Sequence, residues 1–164
     1  MLHSINSSYP MRSVAHFLIG FMVSLLLLSM AFFAIHSRLE LDAAQVGIAL
    51  ACFVVSIPIH ELIHGLTCAY VSANDCTTIT YGISLRQMRA FCRYTLPVKS
   101  SMAYWITLMP GIVLALFPAL AALILGNEVV CLFAALSFGG ASSDIHKAWM
   151  RYSKGRCGSD TAKI

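Results

Sequence analysis

His60-Glu61-Leu62-Ile63-His64 reads H-E-x-x-H, and it stands inside an apolar run from Ala44 to Val71. That setting decides the fold. A helix needs about 20 apolar residues to cross the hydrocarbon core of a bilayer, and this run supplies them. On a helix, residues i and i+4 share a face, so His60 and His64 can offer two imidazoles to one metal ion. Glu61 lies beside them, where a carboxylate can take a proton from a metal-bound water. Ionisable groups at membrane depth are costly, so three within five residues call for an explanation. The competing reading is a buried polar cluster with no metal. The cost of burying Glu61 among apolar neighbours weighs against it.

The rest of the chain has the same character. Of its 164 residues 59% are hydrophobic and 11% charged, where a soluble domain carries roughly a quarter charged residues. The mean hydropathy is +0.78. Four apolar segments run from Val14 to Ile35, Ala44 to Val71, Met102 to Leu125 and Val129 to Met150. Each is near or above spanning length. The first exceeds the ~7–15 residues of a signal-peptide core and no A-x-A cleavage site follows it, so it is read as a retained span. The expected fold is an all-α membrane protein of four transmembrane helices, with residues 1–164 forming one domain.

Between the second and third spans the periodicity changes. Ile79, Tyr81, Ile83 and Leu85 alternate with Thr78, Thr80, Gly82 and Ser84, the period of a half-buried strand. Arg86 to Arg89 would turn the chain and Pro97 would end the return strand. A small β-hairpin over 77–96, at the cytoplasmic face, is expected.

The charges set an orientation. Arg12 precedes the first span, and Arg86, Arg89, Arg93 and Lys99 oppose a lone Asp75 in the second link. The first link carries Arg38, Glu40 and Asp42, and the third only Glu128. The tail carries Lys147, Arg151, Lys154, Arg156 and Lys163. The positive-inside rule places both termini and the second link in the cytoplasm. An integral, multi-pass protein of the bacterial inner membrane is expected, with the lipid bilayer as its surroundings. The net charge of +4 is explained by these flanks. No basic patch with interleaved aromatics and no phosphate-cradling Gly-rich loop points to nucleic acid.

The six cysteines, Cys52, Cys68, Cys76, Cys92, Cys131 and Cys157, form no C-x-x-C, which argues against a zinc ribbon or a thioredoxin-like site. Cys76 and Cys92 could face each other across the hairpin, but a reducing cytosol argues against a disulfide there.

Hydrolytic zinc usually takes three protein ligands and keeps a fourth position for water. In this topology the second and fourth spans both run inward, so Asp144 lies at comparable depth to the motif. It follows Gly139-Gly140-Ala141-Ser142-Ser143, small residues that let helices approach closely. Cys68 continues the 60/64 stripe and would close the site. His146 points to a different helix face from Asp144. Glu128 is at the opposite membrane face, and His3, His16 and His36 show no ligand spacing. Pro58 should bend the second span just before His60, by removing a hydrogen bond and crowding the carbonyl of Val54. Pro110-Gly111 and Pro118 interrupt the third span.

Pro58-Ile59-His60-Glu61-Leu62-Ile63-His64-Gly65 resembles the motif helix of the putative zincin peptidases of membranes, a family related to site-2-protease-type intramembrane metalloproteases. The resemblance extends to Tyr81-Gly82-Ile83, Phe91-Cys92, Leu108-Met109-Pro110 and Ser143-Asp144. It implies a multi-helix membrane fold, a zinc ion held by His60, His64 and Asp144, and Glu61 as catalytic base. The chain departs from the family in having Ser143 where Gly usually precedes the Asp, and it lacks the N-P-x-P and L-D-G signatures of the larger site-2 proteases. The function expected is a zinc-dependent, membrane-embedded endopeptidase acting on peptide or membrane-protein substrates near the cytoplasmic face. The alternative is a non-catalytic metal-binding or scaffolding protein of the same fold. A metal transporter would need further acids or histidines across the other half of the membrane, and a di-iron hydroxylase several histidine boxes.

Overall fold

The computed structural model describes residues 8–37, 40–72, 79–84, 89–94, 98–155 and 161–162. The helices are α1 (Ser8–His36), α2 (Ala43–Ser72), α3 (Ser100–Gly111), α4 (Phe117–Leu125) and α5 (Glu128–Gly155). A π-helical segment, Ile112–Leu116, joins α3 to α4. Four stretches are long and apolar enough to cross a membrane: Val14–His36, Ala43–Val71, Met102–Leu125 and Glu128–Met150. They are consistent with a multi-pass membrane protein.

Local chemistry explains where these helices begin and end. Asp42 Oδ1 accepts from the N–H of Gln45 at 2.7 Å, and Gln45 Oε1 accepts from the N–H of Asp42 at 3.0 Å. This reciprocal capping satisfies donors that the first turn of α2 leaves unpaired. Asn127 caps α5 in a similar way, accepting from the N–H of Val130 at 3.1 Å. α4 ends at Gly126, which adopts φ +64° and donates its N–H to Ala122 O, a left-handed cap that glycine takes without penalty. His36 closes over this turn, donating from Nε2 to Leu123 O at 2.8 Å.

Proline acts differently in two spans. α2 continues as one helix through Pro58. In the third span Pro118 lacks an N–H and its ring crowds the carbonyl four residues back, at Leu114. There the helix widens: the N–H of Phe117 reaches Ile112 O, five residues back. A π turn is one way a helix absorbs such an interruption.

α5 is the centre of the bundle. Of its most apolar window 44% is buried, against 6% in α1, 11% in α2 and 22% in the third span. α1 lies along one side of α5, and α2, α3 and α4 contact it as well. Lipid tails provide no hydrophobic drive between helices, so small residues and hydrogen bonds bring the backbones together. A Cβ on Gly139 would stand 2.9 Å from Phe21 Cβ and 3.1 Å from Phe17 O, so this glycine lets α1 and α5 touch. Ser24 Oγ donates to Ala135 O at 3.0 Å, and Ser142 Oγ lies 2.7 Å from His16 O.

The second link holds two antiparallel strands, β1 (Ile79–Ser84) and β2 (Arg89–Tyr94), registered from Ile79↔Tyr94 to Ser84↔Arg89. β2 lies against α2. A two-residue ladder, β3 (Val98–Lys99) with β4 (Thr161–Ala162), was not signalled by any sequence pattern. The expected turn at Arg86, the possible partner cysteine Cys76, and His3 lie outside the described residues.

Candidate metal centre

The face of α2 that turns inward carries Ser56, His60 and His64 at i, i+4 and i+8, one stripe along the helix. The two imidazoles stand 4.9 Å apart, centroid to centroid, nearly edge-on at 79°. From the facing side α5 delivers Asp144, which is only 7% exposed. Its Oδ2 lies 2.9 Å from His60 Nε2 and 3.4 Å from His64 Nε2. Among the described residues this is the one group of three potential ligands, with donor atoms all within 4.8 Å of one another. Cys68 is buried and stands outside the group. At the far end of α5, Glu128 accepts from the N–H of Glu40 at 3.2 Å.

Two further contacts orient the ligands. α3 presents the carbonyl of Ile106, 2.7 Å from His64 Nδ1. A carbonyl only accepts, so Nδ1 carries the hydrogen, and a neutral ring then keeps its lone pair on Nε2. That lone pair faces a carboxylate oxygen. Such a pair is repulsive unless a cation, either a proton or a metal ion, lies between them. A backbone carbonyl holding the other ring nitrogen is also the usual support of a metal-ligating histidine. On the carboxylate, Lys147 Nζ donates to Oδ1 at 2.6 Å, which leaves Oδ2 for the histidines.

Neither support was expected from sequence. A basic residue near a span end has a sufficient topological explanation, although the i, i+3 spacing of Lys147 from Asp144 is a known side-chain pairing distance on helices. A backbone carbonyl such as that of Ile106 leaves no signal in residue types.

The donor set is compatible with zinc, whose hydrolytic sites use two imidazoles and a carboxylate or similar sets. Tetrahedral bonds of ~2.0–2.1 Å would set ligand atoms roughly 3.3–3.4 Å apart. The His64–Asp144 separation of 3.4 Å meets this, and the His60–Asp144 separation of 2.9 Å is shorter.

A cleft of about 420 Å³ opens beside this group. Glu61 lines it together with His60 and Asp144, so the motif's acid and its proposed ligands share one space. Leu114, from the π-helical segment, forms part of the wall. His16 and His146 line it too, their rings 4.7 Å apart. His146 thus stands outside the ligand group, in keeping with its different helix face, yet still lines the cleft. His16 was missed because only packing between α1 and α5 brings it there.

A family model described as putative zincin peptidase matches residues 53–157, more than half of the chain. The matched region contains His60, Glu61, His64, Ile106, Asp144 and Lys147. No curated protein and no solved structure matches the chain. With the motif, the facing acid and the matched region in agreement, the chain belongs to the putative zincin peptidase family.

Proposed function

We propose that this protein is a membrane-embedded zinc endopeptidase that hydrolyses peptide bonds of membrane-associated substrates near the cytoplasmic face. The observation that carries this reading is the convergence of His60, His64 and Asp144 from two helices, beside a cleft that Glu61 also lines. Zinc bound there would polarise a scissile carbonyl and make a water acidic enough to attack near neutral pH.

The chain's own groups supply the rest. The Ile106 carbonyl fixes the tautomer of His64, so Nε2 presents a lone pair. Lys147 holds Oδ1 of Asp144 and aims Oδ2 at the two imidazoles. Glu61 accepts the proton of the attacking water and passes it to the leaving amine, general acid–base work typically worth about 10²–10⁴ in rate. An extended substrate could add to an edge of the β1–β2 pair, where main-chain hydrogen bonds give affinity without sequence demands. The basic second link and tail favour a cytoplasmic location for the site.

The test uses zinc-loaded protein in vesicles with transmembrane model peptides, the products being read by mass spectrometry. Glu61→Gln should lower cleavage at least about a hundredfold while zinc stays stoichiometric. Undiminished cleavage would remove Glu61 from the mechanism. Absence of cleavage in the unaltered protein, with His60→Ala and His64→Ala costing stability, would favour the non-catalytic metal-binding alternative.

A further inference from the structure

His16 and His146 form a second imidazole pair. Their rings stand 4.7 Å apart, against 4.9 Å between the rings of His60 and His64. They come from different helices, so no spacing along the chain brings them together. The packing of α1 on α5 does. Gly139, Ser142 and His146 fall at i, i+3 and i+7 on one face of α5. A Cβ on Gly20 would stand 2.6 Å from Ser142 Cβ, and Ser142 Oγ lies 2.7 Å from His16 O. Helix is thus held tightly against helix one turn before His146, and the two rings meet at the end of that seam. Both side chains stand on helices rather than loops, the setting that holds ligands most precisely.

Place and chemistry point to a metal ion. Imidazole is a ligand for zinc and its neighbours in the transition series, and these two rings line the same cleft as the metal centre. His16 lies close to the Val14 end of the first span, and His146 close to the Met150 end of the last. His146 is exposed and His16 half-buried, whereas Asp144 is only 7% exposed. The pair therefore marks the mouth of the cleft, where water reaches it, and the metal centre lies deeper. The surrounding charges admit a cation. Glu61 lines the cleft, and the ammonium of Lys147 is offset by its 2.6 Å bond to Asp144 Oδ1. Among the described residues no third His, Cys, Asp or Glu completes this pair as Asp144 completes the other. Two imidazoles with water filling the remaining positions hold zinc more weakly than three protein ligands do.

We propose that His16 and His146 bind a second, labile zinc ion at the mouth of the cleft, from which zinc passes to His60, His64 and Asp144. The inference goes beyond the endopeptidase reading and rests on its zinc centre alone, with no peptide cleavage required.

The test counts zinc and times its arrival. Untagged full-length protein in detergent is stripped with a chelator and dialysed against buffered free zinc over a range of concentrations. Metal is then measured per chain. Two ions should bind, the second at least about tenfold more weakly, since altering even an outer partner of a ligand costs roughly 10–100-fold. His16→Asn and His146→Asn should each abolish the second ion and leave the first in place. His146→Cys, which offers a thiolate instead, should retain it. On rapid mixing with a zinc-loaded indicator dye, both Asn variants should fill the centre severalfold more slowly, to the same final occupancy. Binding of a single ion by the unaltered protein would overturn the proposal. So would a second ion that survives both Asn substitutions, which is an adventitious ion only. Loss of both ions together, or an unchanged filling rate, would overturn it as well. A protein that binds both ions and cuts no peptide would keep this site and lose the endopeptidase reading.

Discussion

α2 and α5 meet at the metal centre and hold their ligands by different means. α2 contributes a pair, His60 and His64, whose spacing follows from one turn of helix. α5 contributes one carboxylate, Asp144, aimed by Lys147 and set opposite the pair by close packing with its neighbours. The first arrangement is local and would survive almost any rearrangement of the bundle. The second exists only once the helices have packed. The two helices also differ in environment: α2 turns Val54, Val55, Leu62 and Leu66 outward, whereas α5 is the most enclosed span and the least apolar. In lipid, apolar faces have nowhere better to go, and the polar helix is the one the others surround.

The sharpest way to break the comparison is to remove one ligand from each side. His60→Ala and Asp144→Ala should each lower zinc affinity more than about a hundredfold, since altering even an outer partner of a ligand costs roughly 10–100-fold. Metal analysis of the purified variants decides it. Stoichiometric zinc in Asp144→Ala would mean that α2 holds the ion alone, and the role assigned to α5 would be lost.

Next in size is the support of the carboxylate. Lys147→Met keeps much of the side chain's length and removes the donor to Asp144 Oδ1. Zinc affinity should fall by about tenfold, the lower part of the range for outer partners, measured by competition with a chelator. An equal loss in an unrelated tail variant such as Lys154→Met would show a general charge effect and deny Lys147 its orienting role.

These two predictions also mark how far the sequence could be read. The histidine pair and Glu61 were legible because helical period alone places them. The four spans were legible from their length and apolarity. Asp144 needed one further step, the inference from loop charges that the second and fourth spans run in the same direction. Lys147 was hidden because a basic residue near a span end has a sufficient topological explanation. His16 was hidden for a different reason: which face of a helix meets its neighbour depends on rotation about the axis, and contacts such as Phe17 and Phe21 against Gly139 set that rotation. The prolines of the third span announced an interruption, but not that it would be a π turn supplying Leu114 to the cleft wall.

That dependence on packing gives a third prediction. Gly139→Ala places a methyl group 2.9 Å from Phe21 Cβ, and helix backbone on both sides limits relief. The cost should lie toward the lower end of the 1–3 kcal/mol typical of overpacking, read as a lowered unfolding midpoint in detergent. Zinc affinity should fall with it, because α5 must shift away from α1. Gly140→Ala is the control: its methyl would meet only a Phe53 ring carbon at 3.6 Å, and stability should change little. If both variants behave alike, close approach to α1 does not position the α5 ligand.

The smallest effect should come from the start of α2. Asp42 and Gln45 cap each other's N–H groups in an exposed turn, 18 residues of helix before His60. Asp42→Ala removes the side-chain acceptor and should cost about 0.5–1 kcal/mol, the lower part of the range for lost caps. The loss stays at that end of the span, because helical hydrogen bonds beyond the first turn do not depend on the cap. His60 and His64 keep their spacing from the turn they share, so zinc content and affinity should not move. A measurable loss of zinc in Asp42→Ala would show that the α2 pair depends on how the whole helix is seated, and the contrast between a local α2 and a packed α5 would fail.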